Sequence, residues 1–165
     1  MKLNFACGPT MWEGFENTDI RGGDRLVDLS VIPYPYTDGS ADLILMSHAL
    51  WMTKDGVEPV HPDPKPILRE FHRILRPACW LRIDDNPWRC YSPDSVLDVN
   101  EQSAAFPDRL RLPRSEFIRM FYDVGFEHAG EVDPAVTGIA ADDVTAAAIV
   151  GNGASHVSFA VEARK

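Results

Sequence analysis

The first half of the chain is a succession of short apolar blocks, each closed by glycine, proline or a polar turn. Leu3–Ala6 reads as a buried strand broken by Cys7-Gly8-Pro9. Phe15–Ile20 reads as a second extended piece, ended at Arg21-Gly22-Gly23-Asp24, and Arg25–Leu29 as a third. Ile32-Pro33-Tyr34-Pro35-Tyr36 holds two prolines, which fix φ and remove N–H donors, so no regular helix passes through it. After the turn Thr37-Asp38-Gly39-Ser40, the segment Asp42–Ser47 carries Leu43, Ile44, Leu45 and Met46 in one run. That is the pattern of a parallel strand covered on both faces.

A proline-rich loop from about Pro59 to Pro66 separates this strand from a change of period. Ile67, Leu68, Phe71, Ile74 and Leu75 recur at helical spacing and predict an amphipathic helix ended by Pro77. Trp80–Ile83 returns to a strand pattern, and the stretch from Asp84 to about Pro113 is loop-like. Ser115 can cap a second helix whose apolar face is Phe117, Ile118, Phe121 and Val124, with Gly125 in the position that closes it. Phe126 opens another strand and Val157–Ala163 alternates as the last. Between them, Asp133–Gly153 is rich in small residues, has no apolar period and predicts a mobile loop. Strands alternating with helical segments predict an open, mostly parallel α/β sheet, with the last two strands as an antiparallel addition.

Composition sharpens this picture. A chain of 165 residues with 45% hydrophobic and 25% charged residues predicts one globular domain over residues 1–165, with no repeat or linker. The net charge of −9 repels phosphate backbones and argues against general affinity for nucleic acid. Two arginine groups, Arg69, Arg73 and Arg76, then Arg109, Arg111, Arg114 and Arg119, read as solvated helix faces rather than a nucleic-acid groove. Cys7, Cys79 and Cys90 are widely spaced and form no zinc pair, so no metal is expected and reduced, cytoplasmic thiols are. The start, Met1-Lys2-Leu3-Asn4-Phe5, lacks a signal-peptide core, and no stretch reaches the ~18 apolar residues of a membrane span.

Open α/β sheets bind ligands outside the carboxyl ends of their strands. There, Ala6, Cys7 and Gly8 are small enough to let a ligand approach the backbone. Asp19, at the second strand's end, suits the two hydroxyls of a ribose, and Asp28, on the third, can accept from an exocyclic amine. No G-x-G-x-x-G opens a helix and no phosphate-binding P-loop is present, which sets nicotinamide and phosphate chemistry aside.

In this order the motifs resemble the small class I S-adenosylmethionine-dependent methyltransferases. Asn4-Phe5-Ala6-Cys7-Gly8-Pro9 and Glu13-Gly14-Phe15-Glu16-Asn17-Thr18-Asp19-Ile20 look like their opening strand, turn and short first crossover. Asp28-Leu29, Ile32-Pro33-Tyr34 and Asp38-Gly39-Ser40-Ala41-Asp42-Leu43-Ile44 are similar to their third strand and the start of the fourth. Ser47-His48-Ala49-Leu50, Arg69-Glu70-Phe71-His72-Arg73-Ile74-Leu75-Arg76-Pro77 and the final Ser158–Lys165 complete the set. The resemblance implies a Rossmann-like open sheet with an antiparallel C-terminal strand and helices on both faces, and S-adenosyl-L-methionine as cofactor. It implies that Phe5, Ala6, Cys7 and Gly8 line the methionine part, and that Asp19 with Ile20 meets the ribose. Asp28 and Leu29 would hold the adenine, and Ser47 and His48 would sit beside the sulfonium.

Two positions depart from the family. Ala6 stands where glycine is usual, so that its methyl group could crowd the cofactor, and Ala78-Cys79 replaces a Gly-Gly turn. On the acceptor side, Trp88 and Arg89 offer stacking and a bidentate contact, and Met11 and Trp12 can form a lid. His48 and Asp85 are candidates for a general base. Two readings follow: methyl transfer by in-line displacement to an unidentified acceptor, with a small molecule favoured, or a non-catalytic binding or regulatory protein that keeps the fold.

Overall fold

Among the described residues, the apolar block at the start of the chain forms an inner strand of a seven-stranded sheet. The computed structural model describes residues 1–9, 11–47, 63–85, 114–132 and 159–165. Its strands are β1 (Lys2–Phe5), β2 (Glu16–Asp19), β3 (Arg25–Leu26), β4 (Ala41–Ser47), β5 (Leu75–Asp85), β6 (His128–Val132) and β7 (Phe159–Arg164), with helices α1 (Lys65–Ile74) and α2 (Arg114–Val124). The strand order is β3-β2-β1-β4-β5-β7-β6. β1 to β5 pair in parallel, and β7 runs antiparallel to both β5 and β6. This is the Rossmann-like sheet with an antiparallel C-terminal strand; β7 alone is reversed and lies between β5 and β6, so β6, expected to be antiparallel as well, runs parallel to β1–β5.

Each face of the sheet has its own cluster. On one side Leu3, Phe5, Ile44, Met46, Leu81 and Ile83 pack with Ile67, Leu68 and Phe71 of α1 and Phe117 and Phe121 of α2. On the other, Leu43 and Leu45 pack with Phe15, Trp12 and Trp80. The run Leu43–Met46 feeds both clusters alternately, as a strand buried on two faces must. The two described helices both contribute to the first cluster.

Three local differences from the sequence reading have physical causes. The third strand stops at Leu26, and Asp28 leaves the ladder by turning back on itself, its carboxylate accepting from the N–H of Ser30 at 2.8 Å and the hydroxyl of Ser30 at 2.6 Å. α1 ends at Ile74 and β5 begins at Leu75, so Pro77 lies inside a strand. It is tolerated because the register jumps from Ala41↔Leu75 to Leu43↔Trp80, leaving Pro77 in a bulge without a β4 partner. Ser115 sits within the first turn of α2, which starts at Arg114, and is not its cap.

Among the described residues, the crossovers between β1 and β4 contain no helix, although parallel neighbours usually need a dozen or more residues and often a helix. Side chains of α1 hold the last of these links. Arg73 donates to the carbonyls of Tyr36 at 2.7 Å and Tyr34 at 3.2 Å and to the carboxylate of Asp38 at 2.6 Å. Glu70, itself bound by Arg73, accepts from the N–H of Tyr34 at 2.8 Å. Arg76, just past the helix in β5, pairs with Asp42 at 2.5 Å. Arg73 and Arg76 are thus occupied within the fold, and neither forms part of a free basic face. No described helix is long and apolar enough to cross a membrane, and the described residues hold no cluster able to bind a metal.

Candidate functional site

Register brings the predicted residues to one edge of the sheet. Phe5 pairs with Thr18 on one side and Met46 on the other, so Ala6, Asp19 and Ser47 leave their strands at the same level. Leu26 aligns with Asp19, and Asp84 with Ser47, which puts the carboxyl ends of β1 to β5 along one line. Asp85 is the last residue of β5, one step beyond. His48, Trp88, Arg89 and the Asp133–Gly153 segment lie outside the described residues.

The turn after β1 runs through two left-handed residues, Ala6 at φ 53° and Gly8 at φ 54°. Ala6 packs against the main core cluster, so its methyl group has a place in the protein interior. Gly8 is exposed, and among the described residues a Cβ added there would meet nothing within 4 Å. Cys7 between them is buried, its N–H donating to the Thr18 carbonyl at 2.9 Å. Burial pushes its thiol above the usual range, with the negative charge of Asp19 adding to the effect.

Asp19 is held at both oxygens. The N–H of Gly8 donates to Oδ2 at 3.0 Å and the N–H of Arg21 donates to Oδ1 at 3.1 Å. The half-buried carboxylate is therefore fixed in orientation at the mouth of the β1 turn, with acceptor capacity left on both oxygens. Ile20, next in sequence, is exposed beside it. The half-buried Asp28 is oriented by Ser30, and Leu29 is buried with its carbonyl accepting from the Tyr34 hydroxyl at 3.1 Å. The Phe5 ring is spent in the core, with its centroid 4.8 Å from that of Phe71 and 5.5 Å from that of Tyr34, so only its backbone faces the edge. Trp12 packs with Phe15 and Leu43 while Met11 stays exposed.

Two residues of this region carried no role in the sequence reading. The amide of Asn17 donates to the carbonyls of Trp12 and Phe15 at 3.0 and 3.1 Å, and its oxygen accepts from the N–H of Trp12 at 2.8 Å and the amide of Asn4 at 3.0 Å. Asp24 accepts from both nitrogens of Asn17, backbone at 2.9 Å and side chain at 3.0 Å. Those bonds hold its carboxyl below the usual carboxylate range. The sequence signal was the Asn-x-Asp spacing, which marks Asn17 without saying what it binds.

A methyltransferase-domain family model matches residues 15–83, which contain Asp19, Asp28 and Ser47. Over those residues the chain is similar to methyltransferase domains. Solved structures share the fold at low identity. An S-adenosylmethionine-dependent methyltransferase of Thermotoga maritima is 15% identical with a TM-score of 0.58, the match covering 99% of this chain and 81% of that one. One from Mesorhizobium loti is 16% identical with a TM-score of 0.55, covering 99% and 90%. The [4+2]-cyclase SpnF is 16% identical with a TM-score of 0.57, covering 99% and 74%. Comparison with curated proteins gives no sequence match. The cyclase among these neighbours illustrates that one fold serves more than one chemistry, so the acceptor has to be read from the site.

The described residues fit S-adenosylmethionine, the cofactor that the resemblance implies. It has no phosphate, and the β1 turn offers an uncrowded glycine backbone and a pinned carboxylate rather than a phosphate cradle. When bound, S-adenosylmethionine supplies an electrophilic methyl group on a sulfonium.

Proposed function

We propose that this domain transfers the methyl group of S-adenosylmethionine to a small-molecule acceptor, and that residues 1–165 act as one domain in doing so. The observation that carries the reading is the Asp19 carboxylate, fixed by the Gly8 and Arg21 N–H groups at the common edge of the parallel strands. In this reading Asp19 accepts the ribose hydroxyls, Ile20 covers the sugar, and the backbone of Phe5, Ala6, Cys7 and Gly8 lines the methionine part. Asp28 takes the adenine amine, with Leu29 beside it. Ser47 and His48 lie next to the sulfonium, and Trp88 and Arg89 hold the acceptor.

The protein's contribution is orientation: a methyl group moves in line between two heavy atoms, and fixing both partners removes most of the entropic cost. In this reading His48 and Asp85 are the candidates to take a proton where the acceptor carries one.

Calorimetric titration with S-adenosylmethionine tests the cofactor assignment. Asp19→Ala should weaken binding about tenfold to a hundredfold, the scale of a lost charge-assisted hydrogen-bond pair, while thermal unfolding stays close to that of the parent. Equal affinity in parent and variant would remove Asp19 from the site.

A further inference from the structure

We infer that Asn17 and Asp24 are positioning residues for the cofactor, setting the Asp19 carboxylate without touching the ligand; this rests on the reading of Asp19 as the ribose acceptor. The two N–H groups that fix Asp19 come from two different segments, Gly8 before β2 and Arg21 after it. The far end of each segment is tied to Asn17. On the Gly8 side, Asn17 binds both the N–H and the carbonyl of Trp12. On the Arg21 side, Asp24 closes the turn through three contacts: its N–H to the Asn17 carbonyl at 2.7 Å, and its carboxylate from both Asn17 nitrogens.

Gly23 shows how tightly that second turn is drawn in. It sits at φ 81°, and a Cβ there would lie 2.4 Å from the Asn17 carbonyl oxygen and 3.4 Å from the Cys7 sulfur. The turn therefore rests directly on β2 and on the buried thiol of the β1 turn. Asn17 is buried and also bonded to Asn4 of β1, so the clasp is anchored in the middle of the sheet. Among the described residues, the links on either side of β2 contain no helix. A side-chain amide with every donor and acceptor used orders these two turns. Partners of this kind orient a binding carboxylate by holding what holds it.

Asp24 is exposed, so its replacement leaves the core intact and is the better probe than the buried Asn17. The test compares binding of S-adenosylhomocysteine with that of its 2′,3′-dideoxy counterpart. The parent protein prefers the ribose ligand. Asp24→Ala narrows that preference about three- to tenfold, the scale of a hydrogen bond to a charged group made less well. Asp24→Asn, which keeps an oxygen facing both Asn17 nitrogens, restores most of it. In an Asp19→Ala background, Asp24→Ala changes the preference no further, because the two act on one contact.

A merely structural role for Asp24 predicts something else: lower thermal stability, or equal weakening of both ligands, with the preference unchanged. Either result overturns the inference while Asp19→Ala still abolishes the preference. If Asp19→Ala itself leaves the preference intact, the reading of Asp19 falls, and this inference with it.

Discussion

Ala6 and Ala78 carry side chains where the backbone is left-handed, at φ 53° and 63°. A Cβ in that region costs about 1–2 kcal/mol, whereas glycine enters it freely. Both stand where the methyltransferases that the sequence resembles usually have glycine, so the departures are from residues the backbone itself favours. Ala6 recovers part of the cost by packing against the core, whereas Ala78 is exposed in the bulge of β5. Its N–H donates to the Lys165 carbonyl at 2.7 Å, which keeps the turn in place with either residue. Ala78→Gly should therefore raise the free energy of unfolding by about 0.5–1 kcal/mol, the relieved strain less the extra entropy of an unfolded glycine. Urea denaturation measures it, and a loss of stability would mean that Ala78 is not strained. At this scale Asp28 was expected on the third strand and lies two residues beyond it, and Asp19 was legible as an acid at a strand end. Asn17 and Asp24 were not, because a polar residue in or after a short strand looks alike whether it faces solvent or ties three segments together.

Helix periodicity was the clearest signal at the scale of elements. The apolar positions of both helices point into one cluster, and Gly125 closes α2 as predicted, at φ 109°. Its N–H donates to the Tyr122 carbonyl at 3.1 Å, and that of Phe126 to Phe121 at 3.1 Å, the paired bonds of a glycine-ended helix. Strand ends were harder: Pro77 looks like a stop in the sequence, and only the bulge opposite β4 lets β5 include it. The join between α1 and the end of α2 also escaped the pattern, because it depends on His72. Its Nε2 lies 3.1 Å from the Gly125 carbonyl, and its ring stands edge-on to Phe126 with centroids 5.1 Å apart.

Burial, helped by the nearby charge of Lys165, pushes the His72 pKa below 6.5. The unfolded chain then binds a proton that the folded chain refuses. His72 should add no pH dependence above about pH 7 and should lose stability as pH falls from its unfolded value through its lower folded one. Denaturant unfolding from pH 7.5 to 5 should show a smaller acid-side loss in His72→Gln than in the parent. Parallel curves for the two proteins would show that His72 is not the group responsible.

The whole sheet depends on joining its last strand to its first half, and one buried pair spans that join. Arg82 of β5 and Glu162 of β7 are register partners 80 positions apart, 3.0 Å between charged atoms, with side chains 1% and 5% exposed. The strand pattern announced a reversed terminal strand, but nothing local could place it between β5 and β6, since pairing between distant strands leaves no trace in either segment's period. A one-residue slip of β7 would send Glu162 to the opposite face and break its pair with Arg82, so the pair favours the observed register. Removing one partner leaves a buried charge with poorer compensation, while removing both leaves none. Glu162→Gln, which keeps shape but not charge, should cost about 3 kcal/mol in urea unfolding. The double change Arg82→Met with Glu162→Leu should fall within about 1 kcal/mol of the parent. If the single change costs as little as the double, the pair adds no electrostatic constraint, and the register of β7 must come from the apolar residues Val161 and Ala163 on either side of it.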